Sequence, residues 1–463
     1  MLYAARTGVS GGAEMKKQIT AAVLSICVAA GACACAPAEE ENVFTGEKVE
    51  QPEWQENLDA ISPSVYASID DLDLEPGTYI SVIGKRDDGA YWEQVKAGVE
   101  QAADDINERL GYSGSDEIKV LFNAPSGSED IDEQVNILDE EMARYPDVIA
   151  IASIDENASA VQFDLAISNG IPIVAFDSGN SYQGIQCICM TDNQTAAAEG
   201  AAKLCEAIGE SGEVALLVQD SVSANAGERA QAFQQEIADN HPGVTVVETL
   251  YMDQLDSLKR QAAAEELGVT QEELETWTAA AAGEASAEGE TQDSADASDS
   301  ADAGAGAADT ENSAGIDGEA ADDGESMSET ARAKLEDINT LAEEMSDEDV
   351  IAYYLQKHPE LAGCFATNGD AVSLGANVLE NMDKTEDIVL MGFDAGSDQV
   401  QGLENGSIDG LIVQNPFGMG YATVVAAART VLEIGNEAAV NTGYIWADRD
   451  NLEDEAVQAM LYE

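Results

Sequence analysis

Residues Tyr79–Gly111 read "YISVIGKRDDGAYWEQVKAGVEQAADDINERLG". The first six residues are a short apolar run, the pattern of a strand buried on both faces. A charged loop follows, and then an amphipathic helix. Working outward, the same alternation recurs: "IKVLFNA" with "DIDEQVNILDEEMARYP", "VIAIAS" with "SAVQFDLAISNG", then "IPIVAFD". After "CICMTDNQTAAAEGAAKLCEAIG" the rhythm restarts. "EVALLVQD" leads to "GERAQAFQQEIADNHP", "TVVETLYMD" to "SLKRQAAAEELG", "GCFATN" to "AVSLGANVLENM", and "IVLMGFD" closes the series. Apolar strands alternating with helices predict parallel sheets covered on both faces, here as two α/β units of similar build.

In such sheets ligands collect outside the carboxyl ends of the strands. Polar residues stand there: Asp177 ends "IPIVAFD", Asn368 ends "CFATN", Asp394 ends "IVLMGFD" and Gln414 ends "GLIVQ". Ser153 and Asp155 follow "VIAIA", Lys85 and Arg86 follow "YISVIG", Tyr91 and Trp92 open the first helix, and Arg229 lies near the start of "GERAQAFQQE". Singly, an Asp or Asn at a strand–helix junction serves as a helix cap, and an aromatic early in a helix serves the core. Their recurrence at one edge is the signal.

Composition narrows the function. The chain has 463 residues, 91 Asp and Glu against 20 Lys and Arg, a formal net charge of −71, and 44% hydrophobic residues. It can build a core, and its surface repels nucleic acid and anionic lipid. Met15-Lys16-Lys17 followed by "ITAAVLSICVAAGACACA" has the form of a signal peptide. "AGAC" at Ala30–Cys33 approaches a lipobox with Ala30 where Leu is usual, so Cys33 is the expected lipidation site and Cys35 the second candidate. Simple secretion after cleavage is the alternative. Beyond this leader (1–34), residues 35–77 read as an acidic tether from the membrane. Four cysteines remain, Cys187, Cys189, Cys205 and Cys364, expected as free thiols. His241 and His358, each before a proline, offer no metal set. No metal or cofactor is expected.

The motifs "IPIVAFDSGN", "TDNQTAAAEGA", "GERAQAFQQE", "HPELAGCFATNGDAVSLGA" and "VLMGFDAGSDQVQGLENGSIDGLIVQNPFGMGYATV" occur in this order. Together they make the region from about Tyr79 to Glu463 resemble the type I solute-binding proteins of sugar importers, near the ribose-binding group. The resemblance implies two doubly wound parallel-sheet lobes closing on one sugar: 78–192 with 416–442, and 193–415 with 443–463. It implies ligand roles for Tyr91, Trp92, Ser153, Asp177, Arg229, Asn368, Asp394 and Gln414, a membrane permease as partner, and a monomer. Asp and Asn suit sugar hydroxyls as acceptors, Arg and Gln as donors, and aromatic rings suit C–H faces. Ser178 stands where ribose binders carry an arginine, which argues against ribose itself. Lys85, Arg86, Asp87 and Asp88 put mixed charge at the cleft mouth. They suit a charged or amidated ligand, or are simply solvated.

No nucleophile, phosphate-loop, dinucleotide or zinc motif points to an enzyme. Asp177 and Asp394 could imitate a glycosidase pair, but they occupy sugar-binding positions of the resembled family. A repressor of this fold would carry a DNA-binding segment where the leader stands. A receptor presenting a small signal molecule to a membrane sensor is the rival to import. Finally, "GEASAEGETQDSADASDSADAGAGAADTENSAGIDGEAADDGE", Gly283–Glu325, has one large apolar residue and no basic one, which predicts disorder. Helical sequence flanks it between two strands of one lobe, so it reads as an insertion into the second lobe at its outer surface.

Overall fold

The computed structural model describes residues 52, 54–127, 129–293 and 327–462, without side chains for 283–293. The leader calls, Cys33 and Cys35 among them, lie outside these residues. Twelve strands are named here: β1 (Tyr79–Ile83), β2 (Lys119–Asn123), β3 (Val148–Ile151), β4 (Ile173–Phe176), β5 (Ile185–Met190), β6 (Gly212–Val218), β7 (Val244–Tyr251), β8 (Leu361–Ala366), β9 (Val389–Phe393), β10 (Gly410–Gln414), β11 (Ala439–Asn441) and β12 (Tyr444–Ala447).

They form two six-stranded sheets, ordered β11-β5-β4-β3-β1-β2 and β12-β10-β9-β8-β6-β7. Within each sheet the first five strands take the doubly wound order 2-1-3-4-5, which places a switch point beside the first strand. All pairings are parallel except β10 with β12, where the edge strand runs antiparallel. β3 and β4 are buried along their whole length, which is why their sequences are unbroken apolar runs. The chain passes between the sheets at Thr191–Asp192, at Asn415 and at Thr442–Gly443. Asn415 ties two of these passages together. Its Nδ2 donates to the carbonyls of Asn57 (2.7 Å) and Thr442 (2.8 Å), and its Oδ1 caps the next helix at Gly418 N.

Helix Ala90–Leu110 packs against helix Pro416–Val431 with backbones almost touching. A Cβ at Gly98 would run into the Phe417 carbonyl, and one at Gly420 into that of Val95. Only glycine permits this approach.

Two expectations need correction. Residues from Trp54 to Gly77 are not a tether. Leu58, Ile61, Tyr66, Leu72 and Leu74 are buried in the first sheet's core, and Trp54 stacks on Phe417 at 6.0 Å. The apolar residues are irregularly spaced among acidic ones because the segment wraps the lobe as a belt and forms only short helical pieces. Second, helix Gln271–Asp293 carries regular backbone past Gly283. The remainder of the stretch expected to be disordered lies outside the described residues. Leu274, Leu335, Ile338 and Ala342 form a small core of their own with Ala263, Ala264 and Val269. This core joins helices Leu255–Glu266, Gln271–Asp293 and Glu329–Glu344, the helical sequence that flanks the acidic stretch between β7 and β8.

Cys187 and Cys189 are buried with sulfurs 4.0 Å apart, and Cys205 and Cys364 are buried and free. No helix among the described residues is long and apolar enough to cross a membrane.

Candidate functional site

The carboxyl ends of the two sheets face a cavity of about 300 Å³. Tyr91, Trp92, Asp177, Arg229, Asn368, Asp394 and Gln414 line it, as do Lys85, Glu129, Gln219, Asn225 and Tyr462. Ser153 does not. Its hydroxyl accepts from Asn180 Nδ2 (3.0 Å) and its carbonyl from Ser178 Oγ (2.6 Å). It braces the turn that carries Asp177, and the strand-end rule cannot separate that role from ligand contact.

Asp177 and Asp394 follow β4 and β9 at equivalent places, and both adopt positive φ, 54° and 77°. Asp177 accepts a bond from Tyr91 Oη at 2.6 Å. Lys85 Nζ lies 3.8 Å from both Asp177 and Glu129. Only 2% of Lys85 is exposed, so it is not solvated as one reading of the charged loop had it. Burial alone would lower its pKa, but Glu129, Asp177 and Asp220 outweigh this and raise it, so the ammonium is retained. Its neighbours Asp87 and Asp88 are exposed, and Arg86 reaches across the mouth to Asp370 at 3.2 Å. A backbone bond, Glu156 N to Val222 O at 3.1 Å, also joins the two lobes.

On the second lobe Arg229 is 2% exposed and stacks over Phe393 at 4.1 Å. Its nitrogens donate to Asn193 Oδ1 (2.8 Å), the Thr367 carbonyl (2.6 Å) and Gln414 Oε1 (2.7 Å). Gln414 in turn donates to Asp394 Oδ1 at 2.7 Å, so it relays Arg229 to the carboxylate. Asp394 also accepts from Gly369 N (2.8 Å) and from Tyr462 Oη (2.9 Å). Loss of solvent raises the Asp394 pKa, opposed by Arg229 and by these bonds. Asn368 caps helix Gly369–Asn381 through Oδ1 and still lines the cavity. Trp92 is largely core, 6.3 Å from Phe176 and 6.4 Å from Phe122, and also lines the cavity.

The lining holds three cations (Lys85, Arg86, Arg229) against six carboxylates (Asp88, Glu129, Asp177, Asp370, Asp394, Asp398). Such a set can exchange hydrogen bonds with hydroxyls and repels a further anion.

A family model described as a periplasmic binding protein domain matches residues 80–319 and 322–435. None of the curated proteins matches the chain. Among solved structures, the chain is similar to a carbohydrate transporter solute-binding protein from Agrobacterium Radiobacter in complex with D-arabinose. Identity is 20%, the TM-score 0.57, and coverage 83% of this chain and 98% of the other. A solute-binding protein from Agrobacterium vitis with bound alpha-D-tagatopyranose gives 21%, 0.57, 83% and 99%. Another from the same organism with bound D-fucose gives 17%, 0.57, 83% and 100%. The family match spans both sheets, and the fold is that of these neighbours. The chain therefore belongs to the periplasmic binding protein domain family, with the type I fold, and is an extracytoplasmic binding protein, not an enzyme.

Proposed function

We propose that the protein captures one small neutral sugar between its lobes and delivers it to the membrane permease of an ABC importer. It would be held at the membrane by lipid on Cys33. The observation that carries this reading is the cleft itself. At about 300 Å³ it sits at the small end of the ~300–1,000 Å³ usual for ligand pockets, which suits a single ring. Asp177, Asp394 and Asn368 provide acceptors, Lys85 and Arg229 provide donors, and Tyr91 and Trp92 provide apolar faces. The excess of carboxylates favours a neutral sugar over a phosphorylated one. The bound D-arabinose, tagatose and D-fucose of the similar structures support the same class. Ligand would select the form in which both lobes contribute partners, and that form would dock on the permease.

The test is calorimetric titration of the protein lacking its leader with D-arabinose, D-fucose and D-tagatose. At least one should give saturable heat and raise the melting temperature by mass action. Asp394→Ala should abolish the heat and leave the ligand-free fold intact. Silence from all three and from a wider set of pentoses and hexoses would sink the sugar reading. Normal binding by Asp394→Ala would sink the site.

A further inference from the structure

Tyr462 has no part in the proposal so far, yet it lines the cleft beside Asp394. The chain after β12 passes through a short helix, Glu455–Gln458, and buries Leu452, Val457, Met460 and Tyr462 in the second lobe's core. Tyr462 is 2% exposed and lines the cavity. Its hydroxyl donates to Asp394 Oδ1 at 2.9 Å and accepts from Ala395 N at 3.0 Å. Its own N–H donates to the Ala395 carbonyl at 3.3 Å. The residue is thus locked onto the turn that carries Asp394. Tyr91 does the same for Asp177 on the first lobe. The two phenol rings meet edge to face, centroids 5.7 Å apart at 78°. Each lobe therefore offers a strand-end carboxylate held by a tyrosine, and the tyrosines touch each other.

Lone-pair bookkeeping shows what this achieves. A carboxylate oxygen accepts about two hydrogen bonds. Oδ1 of Asp394 has two, from Gln414 and Tyr462, whereas Oδ2 has one, from Gly369 N. The open acceptor position is on Oδ2, and the carboxylate cannot rotate to present Oδ1 without breaking two bonds. Burial, and then the nearby aspartates, push both phenols well above their ordinary pKa, so both stay protonated donors.

We infer that Tyr462 is a positioning residue for ligand binding. It aims Asp394 Oδ2 at a ligand hydroxyl, and through its ring contact with Tyr91 it sets the spacing of the two carboxylates in the closed cleft. The ligand class that fits is a single-ring polyol with hydroxyl donors towards both lobes. The inference rests on the sugar reading above for its ligand, but not for its ring contact.

Two measurements test it. Tyr462→Phe keeps the ring and removes the bond to Asp394. With whichever of D-arabinose, D-fucose and D-tagatose binds the parent protein, its Kd should rise about tenfold or more, equivalent to ~1.4 kcal/mol. The ligand-free melting temperature should fall as well, because Ala395 N loses its buried acceptor and Asp394 loses a donor, so the Kd is the readout that decides. A lower melting temperature with unchanged Kd would mean that Tyr462 only staples its own segment, and overturns the inference. The second measurement needs no sugar. Tyr91→Leu, Tyr462→Leu and the double variant are unfolded in urea. Ring contact predicts that the double variant loses less than the sum of the two single losses, and strict additivity overturns it. If Tyr462→Leu does not fold, Tyr462→Met, which fills similar space without a ring, takes its place in the urea cycle, and strict additivity there overturns it. If none of the sugars binds the parent, the sugar reading falls and the urea cycle alone decides the role of Tyr462.

Discussion

In its proposed role Asp394 would serve binding at some cost to folding. Enclosure raises its pKa above the unfolded value, so the folded chain holds more protons between the two values. Stability from this group is then greatest below the unfolded pKa and is lost as pH rises through the folded pKa. Under the proposed function binding would run the other way, because the acceptor offered to a sugar hydroxyl is the carboxylate. Sugar affinity is therefore expected to fall on acidification, starting at a higher pH than an ordinary aspartate would give, as read by titration across a pH series. In parallel melts, the parent should gain stability relative to Asp394→Asn as pH is lowered. Parallel curves would show that Asp394 titrates normally. At this scale the cavity lining was legible where a polar residue ends an apolar strand, as at Asp177, Asn368, Asp394 and Gln414. It misled at Ser153, which has the same strand-end position but a hydroxyl claimed by Asn180. Lys85 was ambiguous, because four consecutive charges look alike until tertiary packing buries one of them. Tyr462 gave no signal at all. "AMLYE" has no period, and what places the phenol is the distant Asp394 turn.

At the scale of elements, the contact between helices Ala90–Leu110 and Pro416–Val431 joins segments more than three hundred positions apart in the sequence. Gly98→Ala or Gly420→Ala places a methyl against a backbone carbonyl that cannot step aside as a flexible side chain would. Each is expected to destabilise by about 1–3 kcal/mol, the usual range for overpacking. Urea melts would measure it, and an unchanged midpoint would show that the helices separate without cost. The strands and the alternation with helices were readable because β3 and β4 are apolar along their length and β10 is apolar up to Gln414. The belt from Trp54 was not. Its buried residues follow neither a two- nor a 3.6-residue spacing, and only the lobe they cover explains Leu58, Ile61 and Tyr66. Nor could "GVTQEELETW" announce that its helix needs Leu335 and Ile338, from beyond the acidic stretch, to complete a core.

For the molecule as a whole, the net charge of −71 is the dominant long-range term. Like charges oppose compaction, and salt screens them, with the Debye length falling from about 30 Å at 0.01 M to about 3 Å at 1 M. The melting temperature of the ligand-free protein should climb over that range of sodium chloride. A flat response would mean that the carboxylates are already neutralised locally. The division into two sheets was legible from the restart of the strand–helix rhythm. How the chain returns came from the family resemblance and not from the rhythm, since β11 and β12 are short and lie on opposite sheets beyond helix Pro416–Val431.

The paired helices Gln271–Asp293 and Glu329–Glu344 supply no residue to the cavity lining. They enclose a separate cluster of apolar side chains, so a change of chain length between their far ends is expected to leave both sheets undisturbed. Deleting 294–326, or splicing a fluorescent reporter there, is expected to leave sugar titrations unchanged. The molecule thus carries its own cloning site, where added sequence is expected to leave the cleft unobstructed.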